Sequence, residues 1–536
     1  MRISKRGAVL AAVTLAFGMV AAACGDSDSD KDGVKIFTVR PENPLIPVGT
    51  TEVGGGRITR SIFVGLTETD PKTAEVKNLI AENIETTDSQ NYTITLEKGW
   101  KFHDGTEIKA KNFVDAWNFG AYTPNAMQNG PFFEGIQGFD QVHTVDPDQD
   151  GPEQAPTPET DKMSGLQVVD DYTFTVALTG PSSIFPAKIS YDAFFPMPDM
   201  FFTDRAGYEK KPVGNGPFKV VSTDTKSTKT ERFDDYKGNK AKVEKLEWVY
   251  YSNDLTAYRD VQSGKLDFMD QIPVSRLSTY EKDFDGQNFN EPVALIQQLS
   301  FPVYEEAYSD PRVRKAISMA IDRDKIAEEV FDGTRTPATG YVSPTIDGYE
   351  EGVCGEACDF DPAAAKALLA EAGGFKGDKI ELWYNNDGPH KDWFDAMAAQ
   401  IQENLGIPTV AQGAENFADI RTKANAQEFT QIYRSGWQAD YPSIENYLNP
   451  IFRTGASSND NGYSNPAVDA KLAEADRTVD PDEAIKLYQE AEKLILEDMP
   501  VLPGMYVNQQ SVWSDDVKNV VVNWKGELDT ASIELK

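Results

Sequence analysis

The sequence predicts an α/β protein built of several folded lobes. At roughly 150 residues per domain, its 536 residues correspond to about three lobes. Hydrophobic residues make up 40% of the chain and aromatic residues 11%, which is enough for a large core. The first half of the chain shows strand patterns, and the second half alternates strand and helix patterns. Such alternation is typical of α/β domains.

The composition excludes several classes of function. The chain has 52 Lys and Arg against 86 Asp and Glu, which gives a net charge of −34. It should therefore repel phosphate backbones, and we expect no nucleic-acid partner. Three histidines and three cysteines leave little material for a zinc site, so we expect no metal and no other cofactor. These residues are His103, His143, His390, Cys24, Cys354 and Cys358.

The N-terminus is typical of an exported lipoprotein. Basic residues precede an apolar run over 7–23, which is short for a membrane span. The run ends in Ala21-Ala22-Ala23-Cys24, which resembles the lipobox of bacterial lipoproteins, although that motif prefers Leu at the position of Ala21. We predict a signal peptide over 1–23, an acylated Cys24 and a polar, lipid-anchored tether over 24–33, outside the cell membrane. A plain secretory signal with a chance cysteine is the alternative.

Strand patterns organise the first half of the chain. Residues 34–39 are β-rich, and apolar residues alternate at period two in 91–97 and 171–178, which predicts half-buried strands. The run Gly54-Gly55-Gly56 leaves room for close approach by a ligand or another backbone, or forms a flexible surface loop. The segment 146–161, rich in Pro, Asp and Gln, is predicted to be a surface insertion.

The second half carries a recurrent helix-start signal. An Asp or Asn precedes Pro at four places, which puts an N-cap acceptor before Pro at the first helical position. The four capping residues are Asp310, Asp361, Asn465 and Asp480. Strands are predicted at 379–384 and 429–433, and the whole region over roughly 300–505 is predicted to be an α/β domain.

Several sequence blocks resemble one known family. Trp100-Lys-Phe-His-Asp-Gly-Thr106 resembles the signature of the extracytoplasmic solute-binding proteins of family 5, the receptors of peptide ABC importers. Further blocks follow in the family's order over essentially the whole chain after Cys24. They are Gly214–Val220, Val261–Asp267, Asp310–Ala316 with Ala320–Arg323, Ala364–Gly373 and Gly436–Tyr441.

This resemblance implies a two-lobed, periplasmic-binding-protein-like (flytrap) fold with an extra inserted subdomain. Lobe I would comprise 34–75, 190–297 and 506–536, the inserted subdomain 76–189, and lobe II 298–505. The chain would cross between the lobes twice, at a hinge that closes over ligand in the interlobe cleft. The resemblance further implies a receptor, expected to be a monomer, that delivers short peptides to the permease subunits of an ABC importer.

The resemblance also implies where the ligand binds. In peptide-binding members the acidic residue after a Gly-Trp pair holds the ligand's α-amino group, and Asp440 occupies that position behind Gly436 and Trp437. Arg434 matches an arginine that reaches the carboxylate of short peptides, and Tyr463 is a weaker candidate. A water-poor cleft strengthens such charged contacts, and strand addition would bind the peptide main chain. An Arg434–Asp440 pair and a core position for Trp437 are the structural alternatives.

Other functions stay open at this point. The same fold could take an oligosaccharide, a metallophore or haem, although the scarce histidines and the charged pair favour a zwitterion. A secreted hydrolase is the third alternative. The sequence contains neither HExxH nor GxSxG, and we expect no catalytic residues and no enzyme activity.

Two acidic runs begin like EF-hand calcium loops. They start at Asp28 and Asp146, but Val39 and Thr157 stand where a bidentate Glu is needed. We therefore expect solvated acidic loops.

The remaining motifs have structural explanations. Cys354 and Cys358 are the cysteine pair of the exported body, and an oxidising compartment predicts a disulfide that fixes a local turn. His103 and Asp104 are expected in a strand-end turn and not in a catalytic pair.

Overall fold

The computed structural model describes residues 33–41, 43–50, 52–144, 156–386, 390–415, 417–456 and 458–536. The expected signal peptide, the acylated Cys24 and the acidic runs at Asp28 and Asp146 lie outside these residues. Within the described part, no helix is both long enough and apolar enough to cross a membrane.

The strands are short, with two exceptions. They are β1 (Val34–Thr38), β2 (Thr67–Thr69), β3 (Val76–Asn78), β4 (Ala81–Glu85), β5 (Asn91–Leu96), β6 (Leu166–Asp170), β7 (Thr173–Ala177), β8 (Phe218–Thr223), β9 (Ser227–Arg232), β10 (Lys245–Tyr250), β11 (Phe268–Met269), β12 (Asn288–Ser300), β13 (Arg335–Pro337), β14 (Ile380–Asn385), β15 (Thr409–Ala414), β16 (Ile432–Gln438), β17 (Val501–Trp513), β18 (Val517–Lys518) and β19 (Glu534–Leu535).

The two longest helices that the structure describes lie in the second half of the chain. The α-helices are α1 (Val53–Ile62), α2 (Ala110–Ala121), α3 (Phe139–Val142), α4 (Phe185–Lys188), α5 (Asp199–Thr203), α6 (Arg205–Lys210), α7 (Asp254–Gln262), α8 (Tyr280–Asp283), α9 (Pro311–Met319), α10 (Arg323–Glu329), α11 (Pro362–Glu371), α12 (Lys391–Leu405), α13 (Phe417–Asn425), α14 (Ile444–Phe452), α15 (Pro466–Arg477) and α16 (Pro481–Asp498). Short 3-10 turns lie at Thr123–Asn125, Gly130–Phe133, Asp192–Phe194, Val274–Arg276, Glu306–Tyr308 and Gly355–Ala357.

One continuous sheet joins the two halves of the molecule. Its order is β15-β14-β16-β12-β17-β11-β1-β10-β9-β8, and β13 also pairs with β17. The two long strands, β12 and β17, are each 13 residues and run antiparallel at the middle of this order. The strands from 380–438 lie on the β12 side, and those from 34–269 lie on the β17 side. The expected lobe crossings at 297/298 and 505/506 fall inside these two strands, and the lobe boundaries themselves stay predictions.

The region from 81 to 177 contains a separate four-stranded sheet. Its order is β4-β5-β7-β6, and α2 packs against it through Trp117, which meets Phe174 edge to face at 5.7 Å. The period-two prediction for β5 is confirmed, because Tyr92, Ile94 and Leu96 are buried and the residues between them are not.

The N-cap predictions for the second half are confirmed at all four positions. The side chains of Asp310, Asp361, Asn465 and Asp480 each accept a main-chain N–H in the first turn of the helix that follows. These bonds satisfy donors that a helix start otherwise leaves unpaired.

The glycine run at 54–56 is part of a helix, so the flexible-loop alternative is wrong. Glu52 caps α1 by accepting the N–H of Gly55. A Cβ on Gly54 would lie 2.5 Å from the carbonyl oxygen of Val39. The other alternative, close approach by a neighbouring backbone, is therefore the correct one.

Candidate ligand site

Three of the candidate ligand-binding residues, Arg434, Gly436 and Trp437, lie on one strand, β16. The sequence placed the strand at 429–433, whereas β16 runs from Ile432 to Gln438. It pairs with β12 from Tyr433 to Gln438, but with β14 only at Ile432 and Tyr433. Among the strands that the structure describes, none pairs with the other edge of β16 after Tyr433. Gly436 is required here, because a Cβ would lie 2.9 Å from the carbonyl oxygen of Ile296 on β12.

Asp440 follows β16 directly and carries a half-buried carboxylate without an ion partner. No Lys, Arg or His nitrogen of the described residues comes within 4.0 Å of it, although Lys525 and Lys188 are close enough to stabilise its charge. Burial raises the pKa of the Asp440 carboxyl, and Lys525, Asn446 and Lys188 partly offset that rise. A ligand cation placed here would relieve the cost of this buried charge.

Asn446 fixes the geometry of this segment. It lies on α14, is 2% exposed, and its Oδ1 accepts from Trp437 Nε1 and from the main-chain N–H of Asp440, each at 3.0 Å. Trp437 is half-buried and therefore lies partly against the core and partly at the surface. Nothing in the sequence marked Asn446, because its role depends on how α14 packs against the end of β16.

Arg434 and Asp440 do not form an ion pair with each other, so that structural alternative is wrong. Its Nε and Nη2 donate to Gln297 Oε1 at 3.1 and 2.8 Å, and its Nη1 reaches Asn385 Oδ1 at 3.4 Å. The cations that lower the pKa of Asp440 are instead Lys525 and Lys188. Gln297 lies on β12, so Arg434 is anchored to one of the two long strands that join the halves.

Tyr463 belongs to the core. Its side chain packs near Phe452 and is 5% exposed, and its hydroxyl donates to Asp498 Oδ2 at 2.7 Å. Tyr463 therefore has a role in packing and hydrogen bonding within the core, and we do not include it among the ligand-binding residues proposed below.

The remaining candidates are structural. His103 bridges its loop to the 214–216 segment, with its ring nitrogens bonded to Gly214 N–H and Gly216 O at 3.1 Å each. Burial lowers the pKa of His103 to about 4. A disulfide joins Cys354 to Cys358 across a 3-10 turn. In the described residues, no group of three or more His, Cys, Asp or Glu side chains is arranged to hold a metal ion.

A cavity of about 560 Å³ beside α1 and the 523–532 segment was not foreseen from the sequence. It is lined by ion pairs, among them Arg57–Asp270 at 2.6 Å and Arg60 with Glu527. Arg60 and Glu527 also act electrostatically on Lys525, which reaches Asp440. Lys525 therefore lies between the charged groups that line the cavity and the main chain of Asp440.

A half-buried carboxylate without an ion partner among the described residues, next to the end of a strand, is chemically suited to a cationic ligand. The family of bacterial extracellular solute-binding proteins, family 5 middle, matches residues 75–459. The chain therefore belongs to the family 5 solute-binding proteins, and it has their two-lobed flytrap fold.

Individual relatives agree with this assignment. The oligopeptide-binding protein OppA of Bacillus subtilis is 27% identical over 545 residues, which cover 96% of each chain. The glutathione-binding protein GsiB of Salmonella choleraesuis is 25% identical over 86% of each chain. The solved structure of the periplasmic murein tripeptide binding protein MppA, in an unliganded open form, gives a TM-score of 0.81 at 22% identity, over 95% of this chain and 98% of that one.

Proposed function

We propose that this protein is an extracytoplasmic receptor of an ABC importer, which captures short peptides in its interlobe cleft and delivers them to the permease. The observation that carries this proposal is the half-buried carboxylate of Asp440, which has no ion partner within 4.0 Å among the described residues and follows a strand edge that β14 leaves after Tyr433. The relatives OppA, GsiB and MppA are named for oligopeptide, glutathione and murein tripeptide binding, which supports a peptide ligand.

Asp440 is the proposed anchor for the ligand's α-ammonium group. A peptide has one ammonium at its N-terminus whatever its sequence, so this contact is independent of the side chains. A charge-assisted hydrogen bond is stronger in a water-poor site than in bulk water. The bond from Asp440 N–H to Asn446 fixes the main chain of Asp440, so little order has to be gained on binding.

The free edge of β16 is the proposed binding surface for the peptide main chain. From Ser435 to Gln438 the edge of β16 opposite β12 has no partner strand among the described elements. A bound peptide would add a strand there, which tolerates many ligand sequences because it uses main-chain hydrogen bonds. Trp437 is the proposed rigid contact surface and Arg434 the proposed donor to the ligand's carboxylate.

The receptor is proposed to act as a monomer held to the outer face of the cell membrane by a lipid on Cys24. It is proposed to bind and release its ligand without chemical change. The family is one of solute-binding proteins, which supports a role in binding rather than catalysis.

Native mass spectrometry and calorimetry test this function. We expect protein purified without denaturation to carry extra masses in the range of short peptides, and unfolding followed by refolding should remove them. The refolded protein should then bind an added tripeptide in calorimetry, and chromatography should recover that peptide uncleaved. Absence of binding to any short peptide, or recovery of cleavage products, would contradict the proposal.

A further inference from the structure

The cavity beside α1 and the 523–532 segment is lined by a buried donor that the protein leaves unpaired. One wall is a face of the sheet, where Trp248 on β10 and Phe268 on β11 flank Ile36 on β1 in register. Trp248 is 3% exposed, and its Nε1 has no hydrogen-bond partner among the described residues. A buried N–H without an acceptor costs free energy, so an acceptor bound inside the cavity would stabilise this wall.

The ion pair between Arg57 and Asp270 adds one unpaired donor and one unpaired acceptor. Arg57 Nη2 lies 2.6 Å from Asp270 Oδ2, whereas Arg57 Nε and Asp270 Oδ1 are buried and have no hydrogen-bond partners in the described part of the chain. Both residues line the cavity, and the pair is neutral as a whole. The other charges nearby balance as two cations and two carboxylates, namely Arg60, Lys525, Asp192 and Glu527. A neutral group that both donates and accepts, such as a hydroxyl, therefore suits this position.

Two half-buried carboxylates, Glu68 and Asp529, also line the cavity and are called the carboxylate pair below. Burial raises the pKa of both carboxyls, and the charge of Asp529 adds to the rise at Glu68. Burial likewise raises the pKa of Tyr236, and both carboxylates add to that rise, so the three groups lie close together. No ion pair within 4.0 Å involves either carboxylate among the described residues.

The nearby cations do not neutralise the carboxylate pair. Lys77 acts on Glu68, but it already pairs with two other carboxylates at 3.1 and 3.7 Å. Lys240 and Lys242 line the cavity but are exposed, and Lys240 Nζ donates to the main-chain oxygen of Asp234 at 2.6 Å. A net negative charge therefore remains at the carboxylate pair, and it favours a bound cation.

We propose that this cavity is a second binding site, for a small molecule that carries a protonated amine and several hydroxyl groups, which is the chemistry of an amino sugar. The ammonium pairs with the carboxylate pair, and the hydroxyls bond the unpaired atoms of Trp248, Arg57 and Asp270. The volume of about 560 Å³ lies in the range of small-molecule sites, and the exposed lysines mark an opening to solvent. The site shares no residue with the proposed peptide site, so this inference does not rest on peptide capture.

Three sugars test this inference on the unmodified, refolded protein. They are glucosamine, glucose, which lacks the amine, and N-acetylglucosamine, in which an amide replaces the amine and removes its charge. Near pH 7 the amine of glucosamine is largely protonated. In calorimetry we expect glucosamine to bind about tenfold more tightly than either of the other two sugars, the size of one charge-assisted bond.

Variants of the lining residues assign the effect to the cavity. Glu68→Gln removes a charge that burial disfavours, so it should fold, and it should lose most of the glucosamine advantage. Glu82→Gln, at an exposed position on β4, is the matched control and should keep that advantage. Trp248→Phe keeps an aromatic ring but removes the unpaired N–H, so it should weaken the binding of all three sugars severalfold. Peptide affinity should be unchanged in Glu68→Gln.

Three results would overturn the inference. If none of the sugars binds, the cavity holds water alone. If glucosamine binds no more tightly than glucose, the carboxylate pair does not take an ammonium. If Glu68→Gln keeps the full advantage, or folded Trp248→Phe keeps the wild-type affinities, the sugar lies elsewhere on the protein. None of these results affects peptide capture, which calorimetry with a tripeptide measures separately.

Discussion

Replacing Glu492 by Gln is expected to stabilise the protein above neutral pH. Glu492 lies on α16 with none of its surface exposed, and its Oε1 accepts the main-chain N–H groups of Tyr341 at 2.7 Å and Val342 at 3.3 Å. Its Oε2 has no hydrogen-bond partner among the described residues. Burial raises the pKa of this carboxyl from 4.5 to about 7, and Glu350 adds to the effect against the two hydrogen bonds and Lys493.

The stability of the protein depends on pH because the folded protein holds the proton of the Glu492 carboxyl more tightly than the unfolded chain does. The unfolded carboxyl loses its proton near pH 4.5, while the folded one keeps it up to about pH 7. Raising the pH through this window therefore costs the folded state roughly 3 kcal/mol, and above about pH 7 no further loss occurs. Gln accepts the same two N–H groups without ionising, so the Glu492→Gln variant should lack this loss.

Thermal unfolding measured from pH 4.5 to pH 8 tests this reasoning. The wild-type midpoint minus that of Glu492→Gln should fall as the pH rises, and at pH 8 the variant should be the more stable of the two. The matched control is Glu497→Gln, an exposed carboxylate on the same helix, which should follow the wild type. Parallel midpoint curves for the wild type and Glu492→Gln across this range would refute the buried-charge account.

Further predictions concern the anchor, the motion and the support of the site. Cys24→Ser should release the protein from the membrane fraction, and a variant that stays there would contradict lipid anchoring. Saturation with a binding peptide should reduce the radius of gyration in small-angle scattering, because the closed arrangement binds ligand better; an unchanged radius would count against closure. Asn446→Ala should weaken peptide binding by about tenfold, since the part-buried N–H donors of Trp437 and Asp440 lose their acceptor. Calorimetry on folded variant protein measures that loss, and unchanged affinity would remove Asn446 from the site.

Local patterns predicted much of the secondary structure. The alternation in 91–97 depends only on which face of a strand is buried, and the Asp-Pro and Asn-Pro signals depend only on the first turn of a helix. Each of these two patterns involves only a few consecutive residues, so the sequence alone can predict it. Glycine has a low helix propensity, yet residues 54–56 are helical. The N-cap from Glu52 and the close packing of Gly54 against the main chain of Val39 favour the helix despite that propensity.

The site was predictable only in part. Asp440, Gly436 and Trp437 are neighbours in the chain, so one short motif marked all three. Lys525 donates to the main-chain oxygen of Asp440 from 85 residues away, and Lys188, 252 residues away, acts on the charge of Asp440. No local sequence pattern predicts such long-range interactions. The strand edge beside Arg434 depends on where β14 ends relative to β16, which is a property of the folded sheet.

Capture of the ligand's α-ammonium by Asp440 is the central claim, and one double-mutant cycle tests it most directly. Calorimetry would compare wild type and Asp440→Asn, each with a free and an N-acetylated peptide, beside Asp392→Asn as an exposed control on α12. Loss of one partner from a buried charged pair costs about 2–5 kcal/mol, or roughly 30- to several-thousand-fold in affinity. We expect each single change to cause such a loss and the two together to cost less than their sum, because both remove one interaction. Additive losses, or wild-type binding that acetylation leaves unchanged, would contradict the account.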